Sequence, residues 1–167
     1  MSEGRPVLGK QGNLDVLEVC ACFKVRSAAR AVTSLYDEAL ESTGLKITQF
    51  ATLSVIRSRG TVRMQRLAEE LGLDPSTMSR TLRPLEAREL VRSGSGSDRR
   101  IRELSLTASG EKVFKECHER WTRAQGNLRE RLGEDTFTRV LEDLATVADR
   151  LNTDGGNQEL NPQDSSS

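Results

Sequence analysis

Ser76, Thr77, Ser79, Arg80 and Arg83 lie within one short stretch, and Arg99 and Arg100 follow a Gly/Ser-rich loop. Hydroxyls and guanidinium forks in that density suit phosphate oxygens and base edges, an arginine fork matching guanine O6 and N7. The surrounding charge supports this chemistry. From Arg57 to Arg102 there are eleven arginines, no lysine and six acidic residues, in a chain whose formal net charge is zero. A surplus of five positive charges therefore sits in one segment, where a phosphate backbone is attracted to it. Enzyme chemistry finds no support, because neither Glu69-Glu70 nor Arg99-Arg100 is joined by a nucleophile and a base. His118, the one histidine, adjoins Cys117, and neighbouring helical positions face apart, which makes a poor metal site. No catalytic residue, metal or cofactor is expected.

Cys20, Cys22 and Cys117 are too few, and odd in number, for a disulfide scaffold. The N-terminal residues contain no apolar stretch resembling a secretory signal, and no apolar run is long enough for a membrane span. A cytoplasmic location with reduced thiols is the expectation. If Cys20 and Cys22 share a helix they point about 200° apart, which excludes both a mutual disulfide and joint chelation of a metal. Either thiol is then a redox candidate, a small apolar packing residue or part of a ligand- or metal-sensing region. Arg26, one turn beyond Cys22, and Tyr36 are candidates for lining a small-molecule pocket.

These groups need rigid elements. Apolar residues recur with helical period from Leu14 to Leu40, a stripe of roughly seven turns, until Gly44 ends it. Thr48 is a candidate cap for a helix running to about Arg57, and Gly60 breaks it. A third helix covers Met64–Leu71 and stops at Gly72. Asp74 reads as an N-cap with Pro75 at the first helical position, opening a helix to about Glu89 that contains Pro84. Residues 91–107 read as a two-stranded ribbon, with Thr107 capping a helix to about Leu132 and a last helix at 134–151. Residues 1–12 and 152–167 read as disordered tails. The domain lies between them at 13–151.

Ala68 and Gly72 have the spacing at which one helix approaches a second closely and then turns, as in a helix-turn-helix. A side-chain-clad helix matches the width of the major groove, so the first turns after Asp74 would meet base edges. Arg99 or Arg100, at the ribbon tip, would reach the minor groove or backbone together with Arg102. Arg57, Arg63 and Arg88 read as solvated or supporting charges.

LAEELGLDPSTMSRTLRPLE (67–86), SDRRIRELSLTASG (97–110), the first helix and the stretch from Gly44 to Phe50 together resemble the MarR-type winged-helix transcription regulators. The resemblance implies a mainly α fold with a small β-wing: a winged helix-turn-helix lobe at 46–107, flanked by N- and C-terminal dimerisation helices at 13–43 and 108–151. It further implies a homodimer reading a pseudo-palindromic double-stranded operator, with recognition helices in major grooves about 34–36 Å apart. Repression, relieved by a small molecule, an oxidant or a metal, is the family's usual mode. Asp98 and Arg100 would form a pair that shapes the wing. Cys22-Phe23, with Tyr36, is similar to the reactive-cysteine region of the family's organic-hydroperoxide sensors, although Arg26 and Ile47 stand where those sensors carry further tyrosines. Glu89 replaces the family's usual helix-ending glycine. Two rival readings are a winged-helix protein adaptor, against which the arginine cluster argues, and an enzyme, which no residue constellation supports.

Overall fold

A computed structural model describes residues 16–95 and 102–154. Packing divides the chain into two units after Trp121. The first unit begins with α1 (Val16–Val19) and α2 (Ala21–Leu40), followed by a 3-10 turn at Glu41–Thr43. The stripe expected as one helix is thus interrupted. Cys20 is extended (φ −76°, ψ 114°) and serves as N-cap of α2, its carbonyl accepting from Lys24 N at 3.2 Å. Valines at 16 and 19 beside a cysteine give this stretch low helix propensity, so the break costs little. The premise that Cys20 and Cys22 occupy one continuous helix is overturned, Cys20 standing outside α2 as its N-cap.

α3 (Ile47–Arg59) starts earlier than Thr48 would allow. Its N-cap is Lys46, whose N–H donates to Gln49 Oε1 at 2.9 Å, while Asp37 Oδ1 of α2 accepts from Ile47 N at 2.8 Å. Thr48 is therefore a first-turn residue, because two side chains already meet the free donors of this terminus. β1 (Thr61–Arg63), α4 (Met64–Glu70), α5 (Pro75–Ala87), β2 (Val91–Ser95) and β3 (Arg102–Leu106) follow. The ribbon supplies two strands of a three-stranded antiparallel sheet in the order β1-β3-β2, with β3 at its centre, Val62 opposite Leu104 and Val91 opposite Leu106. β1 escapes a sequence reading because three residues show one inward Val and no longer alternation.

The core of this unit gathers Leu40, Leu53, Ile56, Leu67, Met78, Leu82, Leu85 and Leu104, all fully buried. Phe50 and Phe114 stack at 5.4 Å between ring centroids, joining α3 to the start of α6 (Ala108–Leu132). Arg57 lies over the Phe114 ring at 4.7 Å and pairs with Glu111 at 3.0 Å. It is thus a packing residue and not simply a solvated charge. Thr107 caps α6 as expected, its Oγ1 accepting from Gly110 N at 2.9 Å and donating to Glu89 O at 2.6 Å. A Cβ on Gly110 would lie 2.0 Å from Leu90 O, so only glycine lets α6 begin against this strand entrance.

The second unit holds the rest of α6, a left-handed Gly133 (φ 75°) and α7 (Glu134–Asp154). Arg129 lies over Phe137 at 5.0 Å and pairs with Glu134 at 3.3 Å. α7 runs three residues past Leu151, into the stretch read as tail.

Candidate nucleic-acid interface

α4 and α5 meet through a Gly72 turn (φ 61°) in which Gly72 N donates to Glu69 O and Leu73 N to Ala68 O at 2.9 Å. These are the two bonds of a Schellman close, with Ala68 buried at the crossing. Asp74 then caps α5. Its Oδ1 accepts from Ser76 N at 2.9 Å, Thr77 N at 3.0 Å and Ser76 Oγ at 2.6 Å, and its Oδ2 from Thr77 Oγ1 at 2.5 Å. The hydrogen bonds from the Ser76 and Thr77 hydroxyls, then from the Thr77 backbone, hold the Asp74 carboxyl well below the usual carboxylate range.

The first turns of α5 carry the expected residues. Arg80 folds back one turn, its Nη2 donating to Ser76 Oγ at 2.9 Å, and Ser79 Oγ donates to Met64 Sδ at 3.9 Å. Arg83 is exposed on the next turn. An open cleft of about 330 Å³ separates the start of α3 from α5, lined by Lys46, Thr48, Gln49, Thr77, Arg80 and Thr81. The sequence marks residues 47–53 only as one border of a small-molecule pocket, with the first helix and the recognition lobe, and not as the α3 side of this cleft. Its one signal is the Lys46…Gln49 spacing, which matches only the second half of a capping box.

Ion pairs sort the arginine surplus. Arg59 and Arg66 pair with Glu70, and Arg66 also meets Glu69. Arg88, expected to be solvated or supporting, donates to Gly44 O and Thr43 O, both at 3.0 Å, and fastens the end of α5 to the turn after α2. Arg102, expected to track DNA with the wing, is committed inward. Its Nη2 donates to both oxygens of Glu86, at 2.5 and 2.6 Å, and its Nε donates to Ser93 Oγ at 2.8 Å. Burial pushes the Glu86 carboxyl up, but the Ser93 and Arg102 hydrogen bonds and the Arg102 charge outweigh it and hold the group low. Among the described residues, Arg63, Arg80, Arg83 and Arg92 pair with no carboxylate. Asp98, Arg99 and Arg100 lie outside the described residues.

A family model described as the MarR family matches residues 43–101, a span from the end of the 3-10 turn to just before β3. The DNA complex of the M. tuberculosis transcriptional regulator MosR is 33% identical, with a TM-score of 0.73, covering 80% of this chain and 97% of that one. The chain belongs to the MarR family. The transcriptional repressor CouR, solved on a 23-mer DNA duplex, is 25% identical with a TM-score of 0.74, over 83% of this chain and 99% of that one. The organic hydroperoxide resistance transcriptional regulator of Bacillus subtilis is 28% identical over 95 residues, 56% of this chain and 65% of that protein. As a MarR-family member the chain is a DNA-binding transcriptional regulator. Its mainly α fold with a small β-wing is the one expected.

In this MarR-family chain the sensing candidates fall on or beside α2. Cys22 is exposed and Cys20 partly so. Arg26 is exposed whereas Tyr36 is buried, and ten residues of helix separate them by about 15 Å, so they do not form one cluster. Burial raises the Tyr36 hydroxyl above its ordinary pKa. Cys117 is fully buried, and burial pushes its thiol up as well. His118 is exposed, its ring 5.8 Å from those of both Phe114 and Trp121.

Proposed function

We propose that this regulator is a homodimeric repressor that reads a pseudo-palindromic double-stranded operator with α5 in the major groove. The observation that carries the reading is the sorting of charge. Arg80 and Arg83 stand exposed without a carboxylate, beside Ser76, Thr77 and Ser79, while arginines behind them are paired. Arg99 and Arg100 extend the contact through the wing. MosR and CouR, both solved with DNA, support the same use of the fold. Dimerisation is supported by apolar side chains left uncovered in the single chain: Phe23, Val25 and Val32 on α2, and Val140, Leu141, Leu144, Val147 and Leu151 on α7. The protein acts in the cytoplasm. No helix among the described residues is long and apolar enough to cross a membrane.

Release comes from a small molecule, an oxidant or a metal that alters the dimer. Cys22 and Cys20 are the redox candidates, Cys22 because it is exposed, and the hydroperoxide-resistance relative favours the oxidant. Arg26 and Tyr36 remain candidates for a ligand pocket. Selection from randomised duplexes, followed by titration of the chosen site, tests the reading. Arg80→Ala should weaken that site by about 1–3 kcal/mol and relax one base position. Equal binding of all duplexes by the wild type would overturn it. Peroxide should release the wild type but not Cys22→Ser or Cys20→Ser if a thiol is the sensor.

A further inference from the structure

We propose that Thr77 determines specificity by accepting a hydrogen bond from a base amino group, adenine N6 or cytosine N4, and does not hold a backbone phosphate. The inference rests on the reading that α5 enters the major groove. A hydroxyl has one proton to donate and two lone pairs to accept with. Phosphate oxygens only accept, so a threonine can serve one only with its proton. In the major groove the amino donors are adenine N6 and cytosine N4.

The proton of Thr77 is already committed. Asp74 is a carboxylate, an acceptor only, and Thr77 Oγ1 donates to its Oδ2 at 2.5 Å. A phosphate could take that proton only by exchanging one anionic acceptor for another and leaving Asp74 Oδ2 without its hydroxyl donor. The Asp74 charge beside the hydroxyl also repels a phosphate. Ser76 has spent its proton in the same way, at 2.6 Å, and one of its lone pairs accepts from Arg80 Nη2 at 2.9 Å. Thr81 Oγ1 donates to Thr77 O at 3.0 Å. Thr77 Oγ1 accepts from no described residue and lines the open cleft. The donors there stand elsewhere: Lys46 Nζ, which also pairs with Asp37 Oδ2 at 3.4 Å and keeps protons to spare, the Gln49 amide across the cleft, its Oε1 being taken by Lys46 N, and Arg80. Phosphate chemistry therefore belongs to Lys46 and Gln49, and amine reading to Thr77.

The test uses the full-length protein and its selected duplex. Each adenine is replaced in turn by purine, and each cytosine by 2-pyrimidinone, so that one amino group is lost at a time. For the wild type, one replacement should weaken binding by about 3- to 10-fold. Thr77→Val should show a similar loss on the unmodified site and no further loss on that replaced site. Thr77→Ser should restore the response. If every replacement acts equally on wild type and Thr77→Val, while a methylphosphonate at one flanking phosphate loses its effect only in the variant, Thr77 is a phosphate ligand and the proposal fails. It fails also if Thr77→Val and every modification are simply additive. Failure of the α5 reading looks different: neither Arg80→Ala nor Thr77→Val would then change preference at any base position. Thermal melts of both variants show that the fold is retained.

Discussion

Glu89 adopts a left-handed backbone (φ 54°), the one non-glycine among the described residues to do so. The hydrogen bonds around it explain why. Leu90 N donates to Leu85 O and Glu89 N to Glu86 O, the two bonds of a Schellman close, and Leu85 and Leu90 are buried beside it. The side chain therefore tolerates a conformation that costs about 1–2 kcal/mol for a residue with a Cβ. Glu89→Gly should raise the midpoint of thermal unfolding, by up to about 1 kcal/mol of stability, without changing operator affinity. A lower midpoint would show that the carboxylate contributes more than the strain removes. The departure from the family pattern is visible in the sequence, but its resolution is not, because glutamate alone does not reveal which backbone well it occupies. Asp74 is the opposite case, since Asp-Pro announces both the cap and the helix start. Its carboxyl and that of Glu86 lie below their unfolded values, so the stability they supply is complete above the unfolded carboxylate range near pH 4 and declines as pH falls through the folded values. Urea midpoints measured downward from pH 5 should fall, and should fall less steeply in Asp74→Asn. An unchanged slope would remove Asp74 from the account.

Elements are joined by side chains that the sequence presents as ordinary surface charge. Arg102 ties β3 to α5 through Glu86 and to β2 through Ser93, so the wing and the reading helix share one fixed angle. Arg102→Ala should leave the base preferences of α5 intact, lower affinity across all sequences and flatten the dependence of binding on salt, as wing contacts are lost at roughly 0.9 per phosphate. A change in preferred bases would make Arg102 a reader instead. Long-range pairing is what a linear reading lacks here. Glu86 and Arg102 stand sixteen positions apart and Arg88 and Gly44 forty-four, and neither spacing follows a helix or strand period. The helices with strong periodicity, α5 and α6, were placed to within a few residues. The break at Cys20 and the strand β1 were not, since each turns on a few residues of weak preference.

For the whole molecule, the uncovered residues of α7 recur at 140, 141, 144, 147 and 151, one face of a helix over three turns. Leu141→Glu with Leu144→Glu should convert the protein to a monomer in light scattering while its circular dichroism stays helical. Operator affinity should drop steeply, because two half-sites held by one particle gain from effective concentration. A dimer that survives both charges would place the association elsewhere, with α2 the next surface to test. The stripe itself was legible in the sequence; that its side chains stand exposed among the described residues was not.

The 2.0 Å that a Cβ at Gly110 would leave to Leu90 O has a mechanical meaning. With Thr107 N also donating to Leu90 O at 3.1 Å, the start of α6 is held closely against the residue that follows the end of α5. The expected consequence is that α5 and the start of α6 move as one piece when the protein leaves DNA. Spin labels at Arg83 and Lys112 of one protomer should keep a single distance with and without operator.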